Sequence, residues 1–316
     1  MTYEAIDFSD IIDGKASAID FFKNNPVDFI NYSDPNMQKL REELGLSFNW
    51  AESINRHTDF DHTNLTDLSL KLTSENLERL GMDIRDFYVL NKQGYRSDEF
   101  KKEHDGLHVM FAGCSNTFGD SMFKEYIWSY QVYERLSELA KVDGYYTTGV
   151  PGADIFEVMS QIIKYIRNVG MPDIVFVNLP DTERNPMFAK GGTYPDGTPT
   201  PKDLTSPNSF ITSYINAVSM LIEEAGSEIY MFTYDGRGNF NIDHNDYRKY
   251  IDNYYTWTLE DHDMAIYEIE QKANKENHPL KDFMHFALDK SHPGIAWQTG
   301  WADFIWDKFI NNTSKV

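Results

Sequence analysis

Two short strings, far apart in the chain, contain the residue types of a serine nucleophile and its base. The first, F-A-G-C-S-N-T-F-G (111–119), places Ser115 where an apolar run gives way to a helical pattern. The second, A-L-D-K-S-H-P-G (287–294), places Asp289 three residues before His292. A serine hydroxyl becomes a good nucleophile at neutral pH only beside a base whose tautomer a third group holds. We therefore predict Ser115 as the nucleophile, His292 as the general base and acid, and Asp289 as the group that orients His292.

Alternating strands and helices from residue 108 onward are predicted to position these residues. Short runs rich in apolar residues predict buried strands at 108–113, 173–180 and 228–235, and G-Y-Y-T-T-G-V (144–150) predicts another strand. A last strand is predicted near 283–287 and a last helix over about 294–311, whereas the polar and aromatic segment 240–280 is expected to be partly helical. This order predicts an α/β fold with a parallel sheet covered on both faces. Ser115 then lies at the carboxyl end of a strand, where such sheets bind ligands.

The first third of the chain lacks this alternation. Residues 1–105 mix charged helical stretches with turns, and they contain no repeat and no low-complexity tract. We therefore predict an N-terminal extension of unknown role over 1–105 and an α/β domain over 106–316.

Composition excludes several classes of partner. The chain has 316 residues, with 29 basic and 50 acidic ones, and its net charge of −21 argues against binding nucleic acid or anionic lipid. The single cysteine, Cys114, excludes an internal disulfide and a zinc site built on several thiolates. No metal or cofactor is predicted. Without an apolar N-terminal run or a membrane-length apolar segment, we expect a soluble protein with no signal peptide.

Taken together and in this order, the two strings resemble the sequence blocks of the SGNH, or GDSL-type, hydrolase family. The resemblance covers about 108–311. The family's first block is G-D-S-x-T, and here G-C-S-N-T has Cys114 in place of the aspartate. Its last block is D-x-x-H followed by P-G, matched here by D-K-S-H-P-G. The resemblance implies a flavodoxin-like three-layer α/β/α fold and ester hydrolysis by Ser115, His292 and Asp289.

The same resemblance implies an oxyanion hole. The backbone N–H groups of Ser115 and Gly152 are the expected donors, although Gly152 also suits a tight turn before a capped helix. The family's third block supplies an asparagine, but the corresponding segment here is L-P-D-T-E-R-N (179–185), which aligns Thr182 with it. Thr182 is therefore the expected third donor. Three nearby side chains are alternatives to it: Asn178, Arg184 and Asn185.

A further segment, L-N-K-Q-G-Y-R-S-D-E-F (90–100), resembles one that precedes the serine block in some SGNH proteins, including phage-encoded ones. Asn91, Gly94 and Arg96 are the matching residues. Two readings are open: a turn packed against the domain, or a turn whose Arg96 contacts substrate.

The resulting functional prediction is a serine esterase that removes O-acetyl or other short acyl groups from a carbohydrate. Its expected partner is a small-molecule or glycan ester, and its expected location is cytoplasmic or virion-associated. Contacts with a virion or with a second copy of the chain are expected to involve the N-terminal region. Two alternatives stay open: a non-catalytic virion or glycan-binding protein that keeps the fold, and an O-acyltransferase that uses the same three residues.

Overall fold

The chain forms a parallel sheet, seen in a computed structural model that describes residues 11, 14–20, 68–180, 207–234 and 253–316. Within these residues the sheet has five strands, all parallel, in the order β2-β1-β3-β4-β5. The strands are β1 (Val109–Ala112), β2 (Tyr146–Thr147), β3 (Ile174–Asn178), β4 (Glu228–Tyr234) and β5 (Tyr254–Trp257). This strand order is that of flavodoxin-like folds, so the predicted fold class is confirmed.

Helices precede the sheet and separate its strands. They are α1 (Leu68–Arg79), α2 (Ile84–Phe87), α3 (Ser115–Phe118), α4 (Trp128–Leu139), α5 (Ile155–Asn168), α6 (Pro207–Glu224), α7 (Leu259–Lys275) and α8 (Ile295–Ile310). Two 3-10 turns lie at Lys124–Tyr126 and Lys281–Phe283. Among the described residues, no helix is long and apolar enough to cross a membrane.

The sheet is buried on both faces, and this gives the three layers. Met110 and Ala112 of β1 lie in an apolar core with α5 and α6, whereas Val109 and Phe111 face a second core with α4 and α8. Because successive strand residues point to opposite faces, a strand covered on both sides reads as a continuous apolar run. Burial of each large apolar side chain contributes about 1.5–3 kcal/mol, so these runs account for much of the folding free energy.

The fifth strand is not where the sequence predicted it. The predicted strand near 283–287 is wrong: a 3-10 turn ends at Phe283, and Phe286 forms only an isolated antiparallel bridge to Pro293. The fifth strand is Tyr254–Trp257, inside the segment expected to be partly helical. Aromatic and β-branched residues favour strands, and Y-Y-T-W consists of them. The helical part of the prediction is met by α7.

Residues that precede the sheet in the sequence pack against later parts of the chain. Leu70 and Leu77 of α1 share an apolar cluster with Phe118, Phe123 and Leu288. Near the N-terminus, Ala18 is buried in the core with α6, and its N–H donates to Glu224 Oε1 at 3.1 Å. The division of the chain at residue 105 remains a prediction, and the described part of the extension contacts the residues around the candidate site.

Candidate active site

A tight turn between β1 and α3 carries Ser115. The strand ends at Ala112, and α3 begins at Ser115 itself. A Cβ added to Gly113 would lie 2.9 Å from the carbonyl oxygen of Asn178, so the chain passes too close to β3 for a side chain at this position. Ser115 is thereby placed, almost fully buried, at the carboxyl edge of the sheet. As the first residue of a helix, its N–H has no carbonyl partner within that helix.

The loop that contains Asp289 and His292 wraps around the Asp289 carboxylate. Asp289 Oδ2 accepts a hydrogen bond from His292 Nδ1 at 2.6 Å. Asp289 Oδ1 accepts the backbone N–H groups of Ser291 and His292, both at 3.0 Å. Lys290 adopts a left-handed backbone with φ 58°, which lets the chain curl around the acid. An ionised carboxylate can only accept, so Nδ1 carries a proton.

Charge and burial act in opposite directions on this pair. Burial alone would raise the pKa of Asp289, but the hydrogen bond and charge of His292 lower it to about 2. Burial alone would lower the pKa of His292, but the charge of Asp120 and the hydrogen bond that the ring donates to Asp289 raise it to about 9. At neutral pH the structure therefore favours an ionised Asp289 beside a protonated His292.

Asp120 is a site residue that the sequence did not reveal. It is almost fully buried, and its Oδ2 lies 3.5 Å from His292 Nε2. Its backbone N–H donates to the carbonyl oxygen of Ser115 at 2.9 Å, and the N–H of Leu288 donates to Ser121 O at 3.0 Å. These two bonds join the serine turn to the histidine loop. Burial raises the pKa of Asp120 to about 6.

Ser115 and His292 both contact Asp120, but they form no direct hydrogen bond with each other among the described contacts. Within the part of the chain that the structure describes, Ser115 Oγ makes no hydrogen bond to His292, and Nε2 faces Asp120 instead. Asp120 links the two residues, through its backbone to Ser115 and through its carboxylate to His292. The nucleophile and base roles of these residues therefore remain predictions.

The oxyanion donors are only partly described. Gly152 has a left-handed backbone (φ 76°) in the turn before α5, whose N-cap Asp154 accepts the N–H of Glu157 at 2.9 Å. A Cβ on Gly149 would lie 2.6 Å from Phe118 N, so this loop packs directly against α3. The geometry therefore shows a tight, capped turn beside the serine helix, and an oxyanion role for Gly152 stays a prediction.

The third predicted oxyanion donor, Thr182, lies outside the described residues, as do the alternatives Arg184 and Asn185. Asn178 is described and buried, at the last position of β3. Its backbone oxygen is one of the atoms that crowd Gly113. Asn178 therefore lies beside the strand that leads to Ser115.

Arg96 is buried and joins three segments of backbone by hydrogen bonds. Its guanidinium donates to the backbone oxygens of Gly119 at 2.7 Å, Met122 at 2.8 Å and Phe87 at 2.9 Å. It also lies over the rings of Phe87 and Tyr88, 4.9 Å from each centroid. Of the two readings of this segment, the packed turn is the one observed. The contacts of Arg96 hold the turn after Ser115, which makes it a support of the site and not a substrate contact.

Helix α1 provides a second support that the sequence did not reveal. Ser69 Oγ donates to Asp289 Oδ2 at 3.2 Å, and Thr73 Oγ1 shares a hydrogen bond of 2.7 Å with Ser121 Oγ. The Asn76 side chain donates to the backbone oxygen of Leu288. Positions 69, 73 and 76 lie on one face of a helix, and this polar spacing was the available signal.

Asp120, Asp289 and His292 are also the one group of metal-ligand type found among the described residues. Their ligand atoms lie within 4.8 Å of one another. Because the Asp289 carboxylate and His292 Nδ1 are already bound to each other, the arrangement is better suited to holding and moving a proton.

Comparisons with known proteins add the following. The structure is similar to that of the psychrotrophic esterase EstA from Pseudoalteromonas sp., with 12% sequence identity and a TM-score of 0.39, over 65% of this chain and 98% of that one. It is also similar to that of TesA, with 10% identity and a TM-score of 0.36, over 63% of this chain and 96% of that one. No protein-family model matches the chain, and no curated protein sequence matches it significantly. At such low similarity the chemistry must be argued from the site itself.

Proposed function

We propose that this protein is a serine esterase of the SGNH type that works through an acyl-enzyme. The observation that carries the proposal is the hydrogen bond between Asp289 and His292, held at the edge of the sheet beside the turn that presents Ser115. A carboxylate on Nδ1 holds the imidazole in the tautomer whose Nε2 can take a proton.

In the proposed reaction Ser115 Oγ attacks the ester carbonyl carbon while its proton passes to His292 Nε2. The backbone N–H groups of Ser115 and Gly152 stabilise the developing oxyanion, with Thr182 as the expected third donor. The tetrahedral intermediate collapses, and His292 returns the proton to the leaving alcohol. Water, activated by the same histidine, then releases the acid and regenerates Ser115.

The proposed substrate is a short acyl ester, with O-acetyl groups on a carbohydrate as the favoured class. The sequence shows no long apolar segment of the kind that covers a lipid-binding site, and residues 240–280 are polar and aromatic. Tyr267 in this segment is 63% exposed, and an exposed aromatic ring presents a flat surface on which a sugar ring can stack. The resemblance of residues 90–100 to phage-encoded proteins supports a viral origin and a host or virion glycan as the target.

Hydrolysis of p-nitrophenyl acetate by the wild type and by Ser115→Ala tests this proposal. Loss of the nucleophile is expected to lower the enzyme-dependent rate at least about 10³-fold. Ser137→Ala, which changes an exposed serine on α4, is the matched control and should keep the wild-type rate. Acetate, butyrate and laurate esters compared side by side then separate a deacetylase from a lipase.

One observation favours a second candidate, a non-catalytic glycan-binding protein that keeps the fold. His292 Nε2 faces Asp120 and not Ser115 Oγ. Equal rates for wild type and Ser115→Ala, with retained binding of acetylated glycan, would establish this candidate in place of the esterase.

A further inference from the structure

A second carboxylate lies on the side of the His292 ring where a serine hydrolase needs its nucleophile. We propose that Asp120 is a positioning residue that holds His292 as an imidazolium in the resting state and so sets the pH range in which His292 accepts the Ser115 proton. This inference rests on the proposed function and concerns the regulation of the same site.

Both nitrogens of the His292 ring face an acid. Asp289 Oδ2 lies 2.6 Å from Nδ1, and Asp120 Oδ2 lies 3.5 Å from Nε2. A neutral imidazole has one N–H donor, whereas an imidazolium has two. An imidazolium can donate a hydrogen bond to each of the two ionised carboxylates. A neutral ring with its proton on Nδ1 presents the lone pair of Nε2 to the Asp120 carboxylate, which is unfavourable. In the same position Asp120 competes with Ser115 Oγ for Nε2.

Asp120 is held in this orientation by its other carboxylate oxygen. Tyr88 Oη and Ser121 Oγ donate to Asp120 Oδ1 at 3.2 and 3.1 Å. The Ser121 N–H in turn donates to Tyr88 Oη at 2.7 Å, and Ser121 has a left-handed backbone with φ 58°. With Oδ1 satisfied by two hydroxyl groups, Oδ2 is the oxygen that remains directed at His292. These hydrogen bonds therefore fix the orientation of the buried Asp120 carboxylate.

The charged groups around His292 determine whether its pKa is raised or lowered. On its own loop the ring meets Asp289, and from the serine turn it meets Asp120, while Cys114 adds a smaller electrostatic influence. Ser69, which reaches Asp289 from α1, is neutral. Among the described residues Arg96 is a buried cation, and its charge acts on Asp120 and Tyr88. Acidic groups therefore dominate around the ring.

The pKa directions agree with this geometry. Burial lowers the pKa of His292, and Asp120 is the largest influence that opposes burial, with a net result of about 9. The pKa of Asp120 itself is raised by burial, to about 6. Between these values both groups are charged, and at pH 7 only about a hundredth of His292 is neutral and able to act as a base.

Asp120→Asn replaces the anion with an amide of the same shape. The amide N–H can donate to the lone pair of a neutral Nε2, so the substitution removes support from the charged ring and adds it to the neutral ring. A nearby opposite charge is worth about one to three pKa units, and we expect the pKa of His292 to fall by that amount. The acid limb of kcat/KM should move to lower pH by the same interval.

The first measurement is an NMR titration of the His292 ring in the full-length protein, with the signal assigned by its loss in His292→Gln. We expect a pKa near 9 in the wild type and a value one to three units lower in Asp120→Asn. Asp303→Asn is the matched control because the Asp303 side chain is 56% exposed and pairs with Arg135. Its His292 should titrate like that of the wild type.

Two results would overturn the inference. One is a wild-type His292 pKa at or below its ordinary 6.5, which is decisive even when Asp120→Asn does not fold. The other is an unchanged His292 pKa in folded Asp120→Asn. Because the titration needs no turnover, it separates this inference from the proposed function. A shifted pKa without Ser115-dependent hydrolysis would refute the esterase and leave the charge state of His292 established.

The second measurement is the pH dependence of kcat/KM for p-nitrophenyl acetate, corrected for hydrolysis without enzyme. The wild-type rate should rise up to about pH 9, and the Asp120→Asn rate should level off one to three units earlier. A purely structural role for Asp120 would lower the rate at every pH without moving the limb, and that outcome contradicts the inference.

Discussion

Replacing Asp289 with asparagine is expected to lower kcat for ester hydrolysis by about 10⁴-fold. Asp289 Oδ1 accepts two backbone N–H groups, from Ser291 and His292, so the amide oxygen of the variant must take that position. The amide nitrogen then replaces Oδ2 and donates to His292 Nδ1. The imidazole is driven to the tautomer with its proton on Nε2, which cannot accept the Ser115 proton.

Steady-state kinetics at the pH of the wild-type plateau measures this effect, with far-UV circular dichroism to show that the variant is folded. Ser69→Ala is the control, because it removes the 3.2 Å hydrogen bond from α1 to Asp289 Oδ2 and leaves the bond between Asp289 and His292 in place. The kcat of Ser69→Ala should fall by no more than about tenfold, which corresponds to the contribution of about one ordinary hydrogen bond. Equal rates for Asp289→Asn and Ser69→Ala would contradict the role assigned to Asp289.

Replacing Arg96 with methionine is expected to lower the free energy of unfolding by about 3–5 kcal/mol. The guanidinium donates to three buried carbonyl groups, those of Phe87, Gly119 and Met122, and methionine leaves all three without that donor. The aliphatic part of the side chain is largely conserved in methionine, so the loss reports the hydrogen bonds and the ring contacts.

Urea denaturation of both proteins measures this loss. Arg85→Met is the matched control, since the Arg85 side chain is 54% exposed and pairs with Asp83 at the surface. That variant should unfold at nearly the same urea concentration as the wild type. Similar losses for the two variants, or a loss below 1 kcal/mol at Arg96, would show that the buried contacts of Arg96 do not support the turn after Ser115.

The strands that could be predicted from sequence are those buried on both faces. V-M-F-A and I-V-F-V-N are apolar almost throughout, because each residue meets one of the two helix layers. β5 is an edge strand with polar neighbours, and only Tyr254 and Trp257 of its four residues are fully buried. The apolar residues near 283–287 suggested a strand, yet Phe286 is 47% exposed and the segment supports the histidine loop.

Within the candidate site, too, some contacts could be predicted from local sequence and others could not. The pairing of Asp289 with His292 depends on a spacing of three residues within one loop, so local sequence was enough to predict it. The contact of Asp120 with His292 depends on two turns that come together from distant parts of the chain, joined by the bond from Leu288 N to Ser121 O. No local pattern encodes such a contact. For Arg96 the sequence left a substrate contact open, whereas in the structure its guanidinium contacts backbone oxygens and aromatic rings of this chain.

Covalent labelling of the nucleophile tests the central claim most directly. The wild type, Ser115→Ala and Ser137→Ala are treated with a fluorophosphonate, and the modified peptide is identified by mass spectrometry. We predict one phosphonyl group on Ser115 in the wild type and in Ser137→Ala, none at this position in Ser115→Ala, and faster labelling at pH 9 than at pH 7 because His292 must be neutral to act as the base. Absence of label on Ser115, or an equal extent of labelling in Ser115→Ala, would contradict the claim that Ser115 is an activated nucleophile.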